Sequence, residues 1–179
     1  MEIPYIHKPK IVVIGSCNTD MVVKANRLPV PGETILGGSF YMNPGGKGAN
    51  QAIAAARLGA DVTFISKIGY DLFGLQALEI YKSERINTEF IFTDSKKPSG
   101  VALISVDSFG ENCIIVASGA NQSLSPEDID KAKDKIDNDT GGTDCCKGIS
   151  TKRFADDHRV SKCIKKLKKI SENNRNCKF

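Results

Sequence analysis

Short β-branched runs separated by helix-forming stretches constrain this chain more than any other feature. Ile11-Val12-Val13-Ile14, stopped by Gly15, reads as a buried strand, and residues 62–65 read as another. Strand-like runs recur at 89–93, 101–106 and 113–117. Between them, residues 49–58 are rich in good helix formers and end at Gly59, placed to cap the helix C-terminus. Asp71 can cap a second helix through about Ser83, with Leu72, Leu75, Leu78 and Ile80 roughly on one side. Ser125-Pro126-Glu127-Asp128 spells a third helix start: a Ser cap, Pro at the first helical position and an acid three residues after the cap. Strands alternating with helices of about 10–15 residues define an α/β domain with a mostly parallel sheet. Two segments fall outside that alternation, residues 33–42 (after the breakers Pro29, Pro31 and Gly32) and 99–106. They are expected to form strand pairs of a small flap added to the main sheet.

Charge divides the chain in two. Residues 138–179 hold 11 Lys+Arg against 5 Asp+Glu, whereas residues 1–137 hold 14 against 16. The net charge of +4 over 179 residues therefore belongs to the last quarter and says nothing about partners of the body. Cysteines divide the same way: Cys17 and Cys113 lie in the body, and Cys145, Cys146, Cys163 and Cys177 in the tail. Two cysteines in the body fit a reduced, cytosolic setting without a disulfide framework. A content of 40% hydrophobic and 26% charged residues excludes a collagen, a disordered chain and a small disulfide scaffold. No apolar run approaches the ~18 residues that span a bilayer, and residues 1–10 lack the apolar core of a secretory signal. The expectation is a soluble cytoplasmic protein, in a eukaryote also nuclear, with no membrane partner.

The chemistry-bearing segment is Asn43-Pro44-Gly45-Gly46-Lys47-Gly48-Ala49-Asn50-Gln51. Three glycines in four residues permit backbone angles and close approaches that a Cβ would block, just where the free N–H groups of a new helix point outward. A polar ligand against that turn would meet N–H donors, the Lys47 ammonium and the Asn50 amide. The segment is neither a Walker A loop, which needs Ser or Thr after the lysine, nor a G-x-G-x-x-G fingerprint. Asn18 and Asp20 follow the first strand, at the carboxyl end where open α/β sheets bind ligands. An ionised Asp accepts two hydroxyl hydrogen bonds while Asn and Lys serve the oxygens around it, so these four residues in one crevice suit a polyhydroxylated ligand. Taken singly, the glycines are also compatible with a plain helix start, and Asp20 with a turn-forming residue.

Several motifs together carry a resemblance. Gly15-Ser16-Cys17-Asn18-Thr19-Asp20, Pro31-Gly32-Glu33-Thr34 and Gly45-Gly46-Lys47-Gly48-Ala49-Asn50-Gln51-Ala52 closely resemble the ribokinase-like, or PfkB, carbohydrate kinase superfamily. So do Ser99-Gly100-Val101-Ala102, Gly110-Glu111-Asn112 and Gly119-Ala120-Asn121, in the same order, over about residues 11–136. The Lys47 form of the turn is more similar to the ribokinase branch than to adenosine kinases or fructokinases. The resemblance implies a Rossmann-like domain with a β-sheet lid, built near 33–42 and 99–106, that clasps a second subunit as a homodimer. It implies substrate binding by Asn18, Thr19, Asp20, Gly46, Lys47, Gly48, Ala49 and Asn50, with a lid contact from Ala102. The implied reaction is phosphorylation of D-ribose at O5 by ATP with Mg²⁺ and a monovalent cation such as K⁺. Related sugar or nucleoside phosphorylation is the nearby alternative.

The resemblance stops after Ile136. Family members continue with segments that supply an acidic sugar ligand, the nucleotide and cation sites, and a Gly-Ala-Gly-Asp turn whose Asp is the base. Here Gly141-Gly142-Thr143-Asp144 differs in order, and Lys147 stands where a small apolar helix would begin, so Asp144 is not expected to act as that base. Residues 1–137 are read as the N-terminal part of the kinase domain, and 138–179 as a divergent basic tail, disordered or displaced in reading frame. The chain alone is expected to be inactive in phosphoryl transfer, a non-catalytic sugar-binding or dimer-forming fragment being the other reading. Ile164, Leu167 and Ile170 are spaced among lysines as on a basic amphipathic helix for a membrane or nucleic acid, but a solvated charge run is the preferred reading and nucleic acid is not the expected partner. Cys145, Cys146, His158, Cys163 and Cys177 contain no C-x₂₋₄-C pair, so no metal site is expected. His7 and His158 have no partner that sequence identifies.

Overall fold

The computed structural model describes residues 8–135 and 148–149. Strand β1 (Lys10–Ile14) is paired in parallel with β4 (Asp61–Gly69), and β4 in parallel with β5 (Ile91–Asp94). β4 is buried at all but its first and seventh positions, as a strand covered on both faces must be. Residues of β1 and β4 alternate between two cores. Val13, Val62, Phe64 and Ile68 face helices α1 (Lys47–Arg57) and α2 (Leu72–Ser83), meeting Ala49, Ala52, Ile53, Ala77 and Tyr81. Val12 and Ile65 face the other way, against Ile129 and Ala132 at helix α3 (Pro126–Lys131). That two-residue period is the pleat itself.

A second sheet has the order β3-β2-β6-β7, from β2 (Asn18–Lys24), β3 (Ser39–Gly45), β6 (Gly100–Val106) and β7 (Asn112–Ala117). β2 runs parallel to β6, and β3 and β7 are antiparallel to their neighbours. This is the expected flap, with more strands and different bounds. Within 33–42 only the end is strand, because Glu33 closes a turn instead: its N–H donates to the Val30 carbonyl at 3.0 Å and its carboxylate takes the Arg27 guanidinium. β2 and β7 complete the sheet, so the apolar run at 21–23 belongs to the flap and not to the main sheet.

Helix starts match their signals. Ser125 and Asp128 form the reciprocal capping box, and Asp128 also pairs with Lys67 of β4 at 2.8 Å, fastening α3 to the sheet. α1 begins two residues earlier than residue 49, with Gly46 as N-cap, and Gly59 follows its C-cap at φ +93°. One segment departs from expectation: within the basic tail, β8 (Gly148–Ile149) pairs in parallel with Val13 and Ile14 on the free edge of β1. Asp144, the tail cysteines, His7, His158 and the lysine-rich run at 162–170 lie outside the described residues. Among the described residues no helix is long and apolar enough to cross a membrane.

Asp71 joins the two sheets. Its carboxylate accepts from Gly74 N–H at 2.9 Å, capping α2, and from both Ser99 Oγ–H and Ser99 N–H at 2.7 Å, at the entrance to β6. Ser99 Oγ in turn accepts from Gly69 N–H at the end of β4. Burial by itself would raise the Asp71 pKa, but the Ser99 and Gly74 donors outweigh it and hold the carboxyl below its ordinary value. Loss of the cap and of two charge-assisted bonds predicts that Asp71→Ala costs about 2 kcal/mol in urea unfolding at pH 7. A depressed pKa contributes stability above the unfolded value and loses it as the proton is taken up in the fold. The gap between wild type and variant should therefore narrow as pH falls below the ordinary aspartate value of 3.8.

Candidate functional site

The site forms where β1 ends, β2 begins and α1 starts. Gly48 sits directly on Gly15: a Cβ at Gly48 would lie 2.7 Å from Gly15 Cα and 2.9 Å from Ser16 N. Gly46 holds φ +92°, and a Cβ there would press to 2.6 Å from the Ser16 carbonyl oxygen. Ser16 O also accepts from Ala49 N–H at 3.1 Å, so backbone contacts fix the first turn of α1 against the end of β1. No side chain caps this helix. Gly45 lies opposite Asn18 in the β2–β3 ladder, and its missing Cβ is the space that the Asp20 carboxylate occupies.

A cavity of about 280 Å³ opens between this corner and the flap, smaller than the ~300–1,000 Å³ that drug-sized ligands fill. Ser16, Asn18, Asp20, Gly46, Lys47 and Asn50 line one side, with Ser118 and Asn121 beside them. The rest of the lining is apolar and continues the flap face that carries Asn18 and Asp20: Ala102 and Ile104 of β6, and Ile114 and Val116 of β7. Alternate residues of each strand point inward, and the register pairs Asp20 with Ala102 and Ala102 with Val116 on that face. Burial raises the Asp20 pKa. A carboxylate, an ammonium and amides beside a hydrocarbon patch can hold a small ligand with hydroxyls along one edge and C–H groups along the other.

Of the expected site residues, Asn18, Asp20, Gly46, Lys47, Asn50 and Ala102 come together in this cavity. Thr19, Gly48 and Ala49 do not line it. Thr19 alternates to the opposite face of β2, Gly48 serves the contact with Gly15, and Ala49 is fully buried in the core between α1 and the sheet. Sequence reading missed the rest of the lining. Ile104, Ile114 and Val116 carry a signal in the two-residue strand period, Ser16 only its place in the motif at 15–20, and Ser118 none. Asn121 was noticed only as part of a motif. It is buried, accepts from Cys17 N–H at 2.8 Å through Oδ1, and donates from Nδ2 to Cys17 O at 2.9 Å and Asn18 Oδ1 at 2.8 Å.

Cys17 turns away from the cavity into the core, where its thiol meets Tyr81 OH at 2.9 Å. Burial pushes that thiol up to about 11, so it is protonated and unreactive at neutral pH. Among the described residues no group of three His, Cys, Asp or Glu side chains is placed to hold a metal ion.

A Rossmann-like parallel sheet with a β-sheet flap and a polar cradle between them is the architecture for which comparisons with known proteins give a family. The chain belongs to the pfkB family of carbohydrate kinases, whose family model matches residues 8–140. It is 45% identical over 126 residues to mouse ribokinase, covering 70% of this chain and 39% of that one. The structure of ribokinase from Giardia lamblia superposes with a TM-score of 0.73 at 33% identity, over 90% of this chain and 48% of that one. That of Arabidopsis thaliana ribokinase complexed with ribose and ATP superposes with a TM-score of 0.57 at 35% identity, over 64% and 38%. The chain thus spans about two fifths of the length of the curated relatives it matches.

Because the Gly15–Gly48 contact is backbone on backbone, no flexible side chain can yield to a methyl group. Gly48→Ala is expected to lose about 1–3 kcal/mol of stability, read as a lower thermal midpoint.

Proposed function

We propose that the cavity binds a pentose, D-ribose, and that it is the sugar half of a site for ATP-dependent phosphorylation at O5. The observation that supports this most is the convergence of Asn18, Asp20, Lys47 and Asn50, from two separate segments, on one small hollow walled by Ala102, Ile104, Ile114 and Val116. Asp20 accepts hydrogen bonds from sugar hydroxyls, Lys47 and the amides serve the remaining oxygens, and the apolar wall excludes water from the C–H face. Fixing the sugar in this way confines its free hydroxyl to one direction of attack, which is the main protein contribution to phosphoryl transfer. ATP, when bound, supplies the phosphoryl group; the Arabidopsis relative, with both ribose and ATP in its structure, supports that pairing.

Calorimetric titration of the 179-residue chain tests the reading. D-Ribose should bind, and Asp20→Ala should weaken binding by roughly tenfold or more, the effect of losing one charged hydrogen-bonding partner. Since binding uses the ionised carboxylate and burial raises its pKa, affinity should be full at neutral pH and decline on acidification, starting above the pH at which an ordinary aspartate takes up its proton. Unchanged ribose affinity in Asp20→Ala would sink the proposal. A coupled assay for ribose-dependent ADP release separates a complete kinase from a sugar-binding module. 2-Deoxyribose in the same titration ranks the pentoses.

A homodimer through the flap belongs to the same proposal. The face opposite the cavity carries Met42, Met21, Leu103 and Ile115 in one row across all four strands, with Phe40 and Val23 in the next. Ile115 is 67% and Phe40 61% exposed, an apolar surface that a second copy would cover. Sedimentation velocity should give a dimer for wild type and a monomer for Ile115→Lys; a wild-type monomer at high concentration would refute it.

A further inference from the structure

We infer that Asn121 is a positioning residue that locks the side-chain amide of Asn18, so that Asn18 meets the ligand as a hydrogen-bond donor. This rests on the pentose reading of the cavity. The backbone N–H of Cys17 can only donate, and it points at Asn121 Oδ1 at 2.8 Å. That contact fixes which end of the Asn121 carboxamide is oxygen. Its Nδ2 then faces two carbonyls that can only accept, Cys17 O at 2.9 Å and Ser118 O at 3.0 Å, and the Asn18 side chain at 2.8 Å. Turning the Asn18 nitrogen toward Nδ2 would set donor against donor, so Asn18 presents Oδ1 there.

The remaining group, Asn18 Nδ2–H₂, is what Asn18 offers to the cavity it lines. Asp20, two residues along the same strand face, can only accept when ionised. The pair therefore presents one donor and one acceptor, matched by a hydroxyl that donates to Asp20 beside an oxygen that accepts from Asn18. The contact has its own cut-out in the fold. Gly100 stands opposite Asn18 in the β2–β6 register, and a Cβ at Gly100 would overlap both Asn121 Nδ2 and Asn18 Oδ1. Asn121 itself arrives from a 3₁₀ turn (Gly119–Ser123) more than a hundred residues away in sequence.

Two measurements test this. In the ligand-free wild-type chain, the Asn18 side-chain NH₂ should exchange with solvent rapidly by nitrogen-edited NMR, while that of Asn121 is protected. A protected Asn18 NH₂ would overturn the assignment with no sugar involved. In Asn121→Asp the carboxylate draws the Asn18 NH₂ toward itself, so that NH₂ should become protected and the ribose dissociation constant should rise roughly tenfold or more. Asn18→Leu should show a similar loss, and adding Asn121→Asp to Asn18→Leu should change affinity less than twofold, because the effect passes through Asn18. An equal loss from Asn121→Asp in both backgrounds would mean a merely structural role, and no loss in wild type would mean none. If wild type does not bind ribose, the pentose reading fails, while the exchange pattern still decides how Asn18 is held.

Discussion

The contact of Gly48 on Gly15 governs the rest of the molecule. Parallel sheets deliver their ligands to the carboxyl ends of the strands, but only if the helix that follows starts close to that edge. Here the approach is limited by backbone alone, since any side chain at either glycine would wedge α1 away from β1. The same approach brings Ser16 O to the N–H of Ala49 and places Gly46 at its positive φ. Lys47 and Asn50 then stand on the first turn of α1, facing the two polar residues that open β2. The glycines of the turn therefore act mainly in packing, and the polar side chains that α1 brings to the cavity are those of Lys47 and Asn50.

The flap gives β2 a double task. Its first residues contribute polar groups to the corner, while its pairing with β3 and β6 sets which residues of the flap face inward. One face becomes the apolar wall of the cavity and the other an exposed apolar surface. Asp71 and Ser99 tie the end of β4, the start of α2 and the start of β6 together around one carboxylate. Site geometry and flap orientation are in this way held by hydrogen bonds at strand ends, with few large side chains involved.

Much of this was legible in the residues. Ile11 to Ile14, the alanine-rich run after the glycine turn, and the caps at Asp71 and Ser125 all encode their structure locally, through burial period, propensity and side-chain capping. The segment at 33–42 misled because its β-branched and aromatic residues suit a strand, whereas Glu33 is consumed by an ion pair with Arg27 and a turn at Val30. Ala49 and Thr19 read as site residues through their neighbours in a motif, but pleat and helix face turn them elsewhere.

Sequence by itself determined the alternating α/β architecture, the helix starts and the identity of the polar groups available at the first strand's end, because each depends on residues within a turn or two. Tertiary structure alone decided which of those groups share a cavity, which apolar residues line it with them and how Asn18 is oriented. Those outcomes depend on strand register and on contacts such as Asn121 to Asn18, between residues remote in sequence, where no local pattern records the partner.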